Sequence, residues 1–145
     1  MQGTCPGVVP AVVLDTNVLV AAGFNPRSAS AALVAAARQG QVQMVWNEAT
    51  RREIERIVQQ IPRLRAHDVA ALFRPADRFA AATHPERFAD IPDPDDRKFA
   101  ALAHAAGAVL VSSDEHLLGY RGPLELTVQT PGAFWRGRRA DGRTE

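Results

Sequence analysis

Cysteine is nearly absent, with Cys5 the only one in the chain. No internal disulfide can form, and a cysteine-based zinc site within one chain is excluded. Lysine is as scarce: of 17 basic side chains only Lys98 is not arginine. Arginine favours bidentate contacts to phosphate and carboxylate, but genome base composition accounts for such a bias more simply. Charge excess is missing too. The net charge is +1, so no global basic field announces a polyanionic partner. No apolar run approaches the roughly 18 to 20 residues that span a membrane. The N-terminal stretch lacks a basic n-region and its apolar run soon meets Asp15, which argues against a signal peptide. Together these absences predict a cytoplasmic chain in a reducing compartment, with no membrane partner. There is no glycine-rich phosphate loop and no Ser-His-Asp nucleophile arrangement. His67, His84, His104 and His116 share no metal-ligand spacing; only His116, close to Asp114, stays of interest.

What is present fits one α/β domain. The chain has 145 residues, 46% hydrophobic and 23% charged, enough to bury a core. Residues 1–10 read as a lead-in rich in Gly and Pro, 11–135 as the domain, and 136–145 as a polar, arginine-rich, mobile tail. Val12–Leu14 predict a short buried strand, and Thr16–Ala22 a helical turn. Ser28 or Ser30 caps a helix running to Arg38 and stopped at Gly40. Val42–Trp46 predict a second strand. Asn47 caps a helix over Glu48–Ile61, with an apolar stripe of Ile54, Ile57, Val58 and Ile61. A helix over Ala66–Phe73, a short strand over Phe79–Thr83 and a polar loop over His84–Pro92 follow. A helix then opens at Asp93-Pro94-Asp95-Asp96 and stops at Gly107. Val109–Val111 form a strand, His116–Leu118 a short helix, Leu126–Val128 a last strand and Pro131–Trp135 a terminal helical turn. Strands alternating with helices predict βαβ units and a parallel sheet.

The acids are unevenly placed. Asp15 and Asp114 each follow an apolar strand, so both belong at the carboxyl edge of a parallel sheet, where ligands bind. Asp96 stands in the first turn of the helix that leads into the second of those strands, which puts it at the same edge. Glu53 falls one turn into the helix after Trp46. Four carboxylates from four segments therefore converge. Bunched carboxylates repel unless protonated or given a counter-charge. An all-oxygen set suits magnesium or manganese over zinc, and such a cation supports phosphodiester hydrolysis. Each acid also has a plainer role. Asp93 is a good N-cap with Pro94 at the first helical position, Asp95 and Asp96 suit the helix dipole, and Asp114 can cap the helix of Leu117. Glu53 and Glu55 lie on opposite shoulders of the isoleucine stripe, and periodicity does not choose between them. Asp15 is hardest to dismiss, because its apolar neighbours predict burial of a charge. Arg51, Arg52 and Arg56 read first as a solvated helix face that could reach a phosphate backbone, and Arg136, Arg138, Arg139 and Arg143 as a basic tail.

The order and context of these acids resemble a PIN domain. The resemblance rests on Val-Val-Leu-Asp-Thr-Asn-Val-Leu-Val at 12–20, Asn47 to Val58 with Glu53, Asp-Pro-Asp-Asp-Arg-Lys-Phe-Ala-Ala-Leu-Ala at 93–103 and Val-Leu-Val-Ser-Ser-Asp-Glu-His-Leu-Leu at 109–118. It is nearest to the toxin components of toxin–antitoxin systems. It implies a three-layer α/β/α sandwich around a parallel sheet and magnesium- or manganese-dependent ribonuclease activity. It implies four catalytic and metal-binding acids, Asp15, Glu53, Asp96 and Asp114, choosing Glu53 over Glu55. It makes Asn17, Asp93, Asp95 and Ser112 accessory residues. It also implies an RNA substrate, an antitoxin that enters the acidic groove, and a homodimer. Two other readings start from the same residues: a PIN-fold module without activity, and a phosphatase of the haloacid-dehalogenase type. The second wants an aspartate two residues after Asp15, where Asn17 stands.

Overall fold

The computed structural model describes residues 9–62 and 69–143, with 139–143 as backbone only. Four strands form one parallel sheet: β1 (Ala11–Leu14), β2 (Gln43–Met44), β3 (Val109–Val111) and β4 (Val128–Gln129), in the order β2-β1-β3-β4. Helices flank it: α1 (Thr16–Phe24), α2 (Ala29–Arg38), α3 (Glu48–Gln59), α4 (Pro94–Ala106), α5 (Glu115–Leu118) and α6 (Pro131–Arg143). The α/β architecture expected from the alternating pattern is the one observed.

The central strands are apolar on both faces because both are covered. Val12, Val13, Leu14, Leu110 and Val111 are all buried, and they pack with Leu33, Ile54, Phe99 and Leu102 from the helices. Register pairs Val12 with Val109 and Leu14 with Val111. From β1 the chain crosses to β2 on one side, and from β3 it crosses to β4 on the other. The β1/β3 seam is thus the place where the connections diverge, and in open parallel sheets the crevice outside the strand ends at such a seam takes ligands.

Local chemistry sets the helix boundaries. The Ser28 hydroxyl accepts from Ala31 N–H at 3.0 Å and starts α2. Asn47 and Thr50 form a reciprocal capping box at the start of α3. Asp93 accepts from Asp95 N–H at 2.9 Å at the start of α4, and Gly107, with φ 66°, ends it in the left-handed region.

Several expectations change. The second strand shortens from Val42–Trp46 to Gln43–Met44, and α3 ends at Gln59 rather than Ile61. The strand expected at Phe79–Thr83 is reduced to a single bridge between Trp46 and Arg78; Ala80, Ala81 and Ala82 are exposed and offer no apolar face to pack. The last strand shifts from Leu126–Val128 to Val128–Gln129. The loop His84–Pro92 contains a 3-10 turn at Pro85–Phe88 that buries Phe88 against Tyr120 and His104. The terminal turn at Pro131–Trp135 continues as helix to Arg143. Thr130 Oγ1 accepts from Ala133 N–H at its start, Phe134 is buried, and Arg138 stacks on Trp135 and donates to the Gln41 carbonyl. The helix expected at Ala66–Phe73 lies partly outside the described residues.

Candidate active site

Asp15 leaves the carboxyl end of β1 at the seam. Its backbone N–H donates to the Val111 carbonyl of β3 at 3.1 Å, which locks the residue to the neighbouring strand. The side chain is 4% exposed. Oδ2 accepts a 2.7 Å hydrogen bond from Ser112 Oγ, and that same Oγ accepts from Asp114 N–H at 3.0 Å. One fully buried serine hydroxyl thus ties the two strand-end aspartates together. Burial pushes the Asp15 carboxyl above its ordinary range, with the Ser112 bond opposing the shift and the charge on Asp114 adding to it.

Asp114 caps α5, its Oδ1 accepting from His116 N–H at 2.8 Å and Leu117 N–H at 3.2 Å. The capping role and a place at the site therefore coexist. Asp96 sits in the first turn of α4, partly buried. Its carboxyl is pushed up from 3.8 to about 7, first by burial and then by the charges of Asp15, Asp93, Asp114 and Asp95. Asp15, Asp96 and Asp114 thus lie in one another's fields, brought from β1, α4 and the end of β3.

Glu53 stands differently. It is 8% exposed on α3, but its oxygens meet cations: Arg56 Nη2 at 2.8 Å and Lys98 Nζ at 3.5 Å. Asp95 joins the same network, 3.7 Å from Arg56 and 3.6 Å from Lys98. Lys98 and Arg56 thus neutralise Glu53 and Asp95, and neither is paired with Asp15, Asp96 or Asp114 among the described residues. Composition marked Lys98 as the lone lysine; its pair with Asp95 lies three residues back on α4, but its pair with Glu53 depends on how α3 packs on α4.

The accessory positions divide. Ser112 is at the centre. Asn17 is exposed, although its backbone N–H helps hold the Asp15 pKa down. Asp93 serves as the cap of α4. A further residue escaped the sequence reading: Thr16 is 6% exposed and its hydroxyl has no hydrogen-bond partner within the described residues. Buried hydroxyls rarely stay unpaired, so this atom, next to Asp15 in sequence, adds an oxygen that wants a partner. Of the histidines, His84 pairs with Glu86 and His104 donates to the Glu125 carbonyl. His116 Nδ1 lies 3.7 Å from Asp114, and His67 lies outside the described residues.

A family model described as PIN domain matches residues 11–116. The chain belongs to the PIN domain family. The matched span holds all four acids, and PIN domains are generally nucleases that bind divalent metals. No curated protein and no solved structure matches the chain.

The donor set fits such a metal. It is made of carboxylate and hydroxyl oxygens, partly buried, with raised carboxyl pKa values that a cation would relieve. Among the described residues no three His, Cys, Asp or Glu side chains stand close enough to enclose an ion directly. Magnesium does not demand that, because it retains several waters and is commonly held by one or two carboxylates.

Proposed function

We propose that this PIN domain is a magnesium- or manganese-dependent endoribonuclease, the toxin of a toxin–antitoxin pair. The observation that carries the reading is the meeting of Asp15, Asp96 and Asp114 at the β1/β3 seam with no lysine or arginine paired to them among the described residues, His116 alone approaching Asp114. When bound, the divalent ion supplies a Lewis acid for the phosphodiester and favours attack by water. The chain's own residues do the rest. Ser112 fixes the Asp15 carboxylate, and the α5 cap orients Asp114. Asp96, its carboxyl pushed up by burial and by the neighbouring acids, is a carboxylate that the cation would hold in its charged form. Lys98, anchored by Glu53 and Asp95, stands at the flank as a cation for a phosphate oxygen, so Glu53 supports the site by holding Lys98. The substrate is RNA in its single-stranded regions. The protein partner is an antitoxin whose basic segment complements the acidic edge, and the toxin itself pairs as a homodimer in the cytoplasm.

Incubation of labelled single-stranded RNA with the protein tests this. Cleavage is expected with magnesium or manganese, is lost in chelator, and falls at least a hundredfold in Asp15→Asn. Equal cleavage in chelator, or by Asp15→Asn, would overturn it. The alternative, a PIN-fold module that binds RNA without cutting, draws on the spacing of the carboxylates; RNA binding with no hydrolysis under any divalent metal would favour it.

A further inference from the structure

A cleft of about 400 Å³, within the range of sites that take small ligands, is lined by Glu115 and His116, the residues that follow Asp114. Its walls come from the segments that flank the acids. Asp90 lies just before the Asp93 cap of α4, and Glu115 and His116 directly follow Asp114. Both walls are fixed. Arg97 donates to the Ile91 carbonyl at 2.8 Å and to the Ala89 carbonyl at 3.3 Å, pinning the loop of Asp90. On the other side the Arg121 guanidinium is held by the Tyr120 carbonyl at 2.8 Å and the Leu118 carbonyl at 3.4 Å. The Tyr120 ring packs on buried Phe88 at 5.6 Å. Gly122 lets that ring lie where it does, since a Cβ there would collide with Tyr120 Oη. The buried Oη has no hydrogen-bond partner among the described residues.

We propose that this cleft holds one nucleobase of a single-stranded RNA, adjacent to the phosphodiester at the acids, and favours bases with an amino group on their pairing edge over uracil. The inference rests on the nuclease reading above. Single-stranded RNA is read through splayed bases that stack on aromatic rings or guanidinium planes and expose their pairing edges. Tyr120 and Arg121 supply such surfaces. Asp90 and Glu115 are acceptors for amino N–H groups, as acidic residues are for cytosine N4. Uracil has no amino group, and the two carbonyl oxygens that flank its single N3–H donor are repelled by carboxylates. The continuity of Asp114 with Glu115 and His116 sets the base next to the acids.

The test uses the full chain carrying Asp15→Asn, so that RNA binds without being cut. Fluorescence anisotropy in magnesium is read for a uridine pentanucleotide whose central base is A, C, G or U. The amino-bearing bases are expected to bind roughly five- to tenfold tighter than U. Asp90→Asn with Glu115→Gln removes that preference, and Arg121→Ala weakens all four. These side chains are exposed, and circular dichroism melts of each variant verify its fold. No binding, equal affinity for the four bases, or a preference that survives both sets of substitutions overturns the cleft. RNA cleavage by the wild type without base preference in binding would sink the cleft alone. Base-selective binding with no cleavage by the wild type would sink the nuclease reading alone.

Discussion

At the scale of single residues, the Ser112 hydroxyl does two jobs at once. It donates to Asp15 and accepts from Asp114 N–H, and it is fully buried. Ser112→Ala leaves a buried carboxylate short of a donor, so stability should fall by about 2 kcal/mol, read by denaturant unfolding. Manganese affinity should fall by roughly tenfold, the usual cost of losing a supporting partner. Asp96 makes a pH prediction. Its folded pKa of about 7 exceeds the ordinary 3.8, so between about pH 4 and 7 the folded chain holds a proton that the unfolded chain has released. Stability of the metal-free protein therefore falls as pH rises through that window. Asp15 adds to it with the same sign. Thermal melts in chelator should show this decline, and Asp96→Asn should flatten it; a decline just as steep in the variant would assign it to other groups. At this scale the sequence was informative wherever a charge interrupted an apolar run, as at Asp15. It was silent on Lys98 and Thr16, whose roles depend on what packs beside them.

At the scale of elements, the helices that carry acids are begun and ended by local devices. The Asn47–Thr50 capping box starts α3, the helix of Glu53. Asn47→Ala should cost about 1 kcal/mol and lower the melting temperature by roughly 2 to 4 °C, with no change in metal affinity. Gly107 closes α4 at φ 66°, where an added Cβ would meet nothing. Gly107→Ala therefore carries only the backbone penalty of the left-handed region, about 1 to 2 kcal/mol. A loss of 4 kcal/mol or more in unfolding experiments would point to a packing defect the structure does not contain. These boundaries were legible because caps are local. The segment 79–83 and the end of α6 were not. An aromatic beside alanines imitates a strand, and glycine with arginine imitates a tail. Only the packing of Phe134 and Trp135 and the reach of Arg138 to Gln41 show that α6 continues.

At the scale of the whole molecule, function follows from strand order. The order β2-β1-β3-β4 makes β1 and β3 neighbours at the point where the connections diverge, and each of these strands ends in an aspartate segment. The sequence already implied that edge, because apolar runs followed by acids and separated by helices leave few parallel arrangements. It did not show that Glu53 would pair with Lys98, since that needs the distance between α3 and α4, whereas the pair with Arg56 lies within α3. Nor did it place the basic tail. Arg138 reaches Gln41, just before β2, and so lies at the amino edge, away from the acids. The most direct test of the three-aspartate centre is a calorimetric titration of manganese into the metal-free protein and into Asp15→Asn, Asp96→Asn and Asp114→Asn. The wild type should bind the ion, and each variant should bind it at least roughly tenfold more weakly while remaining folded. No manganese binding by the wild type, or undiminished binding by all three variants, would contradict a shared cation site at the β1/β3 seam.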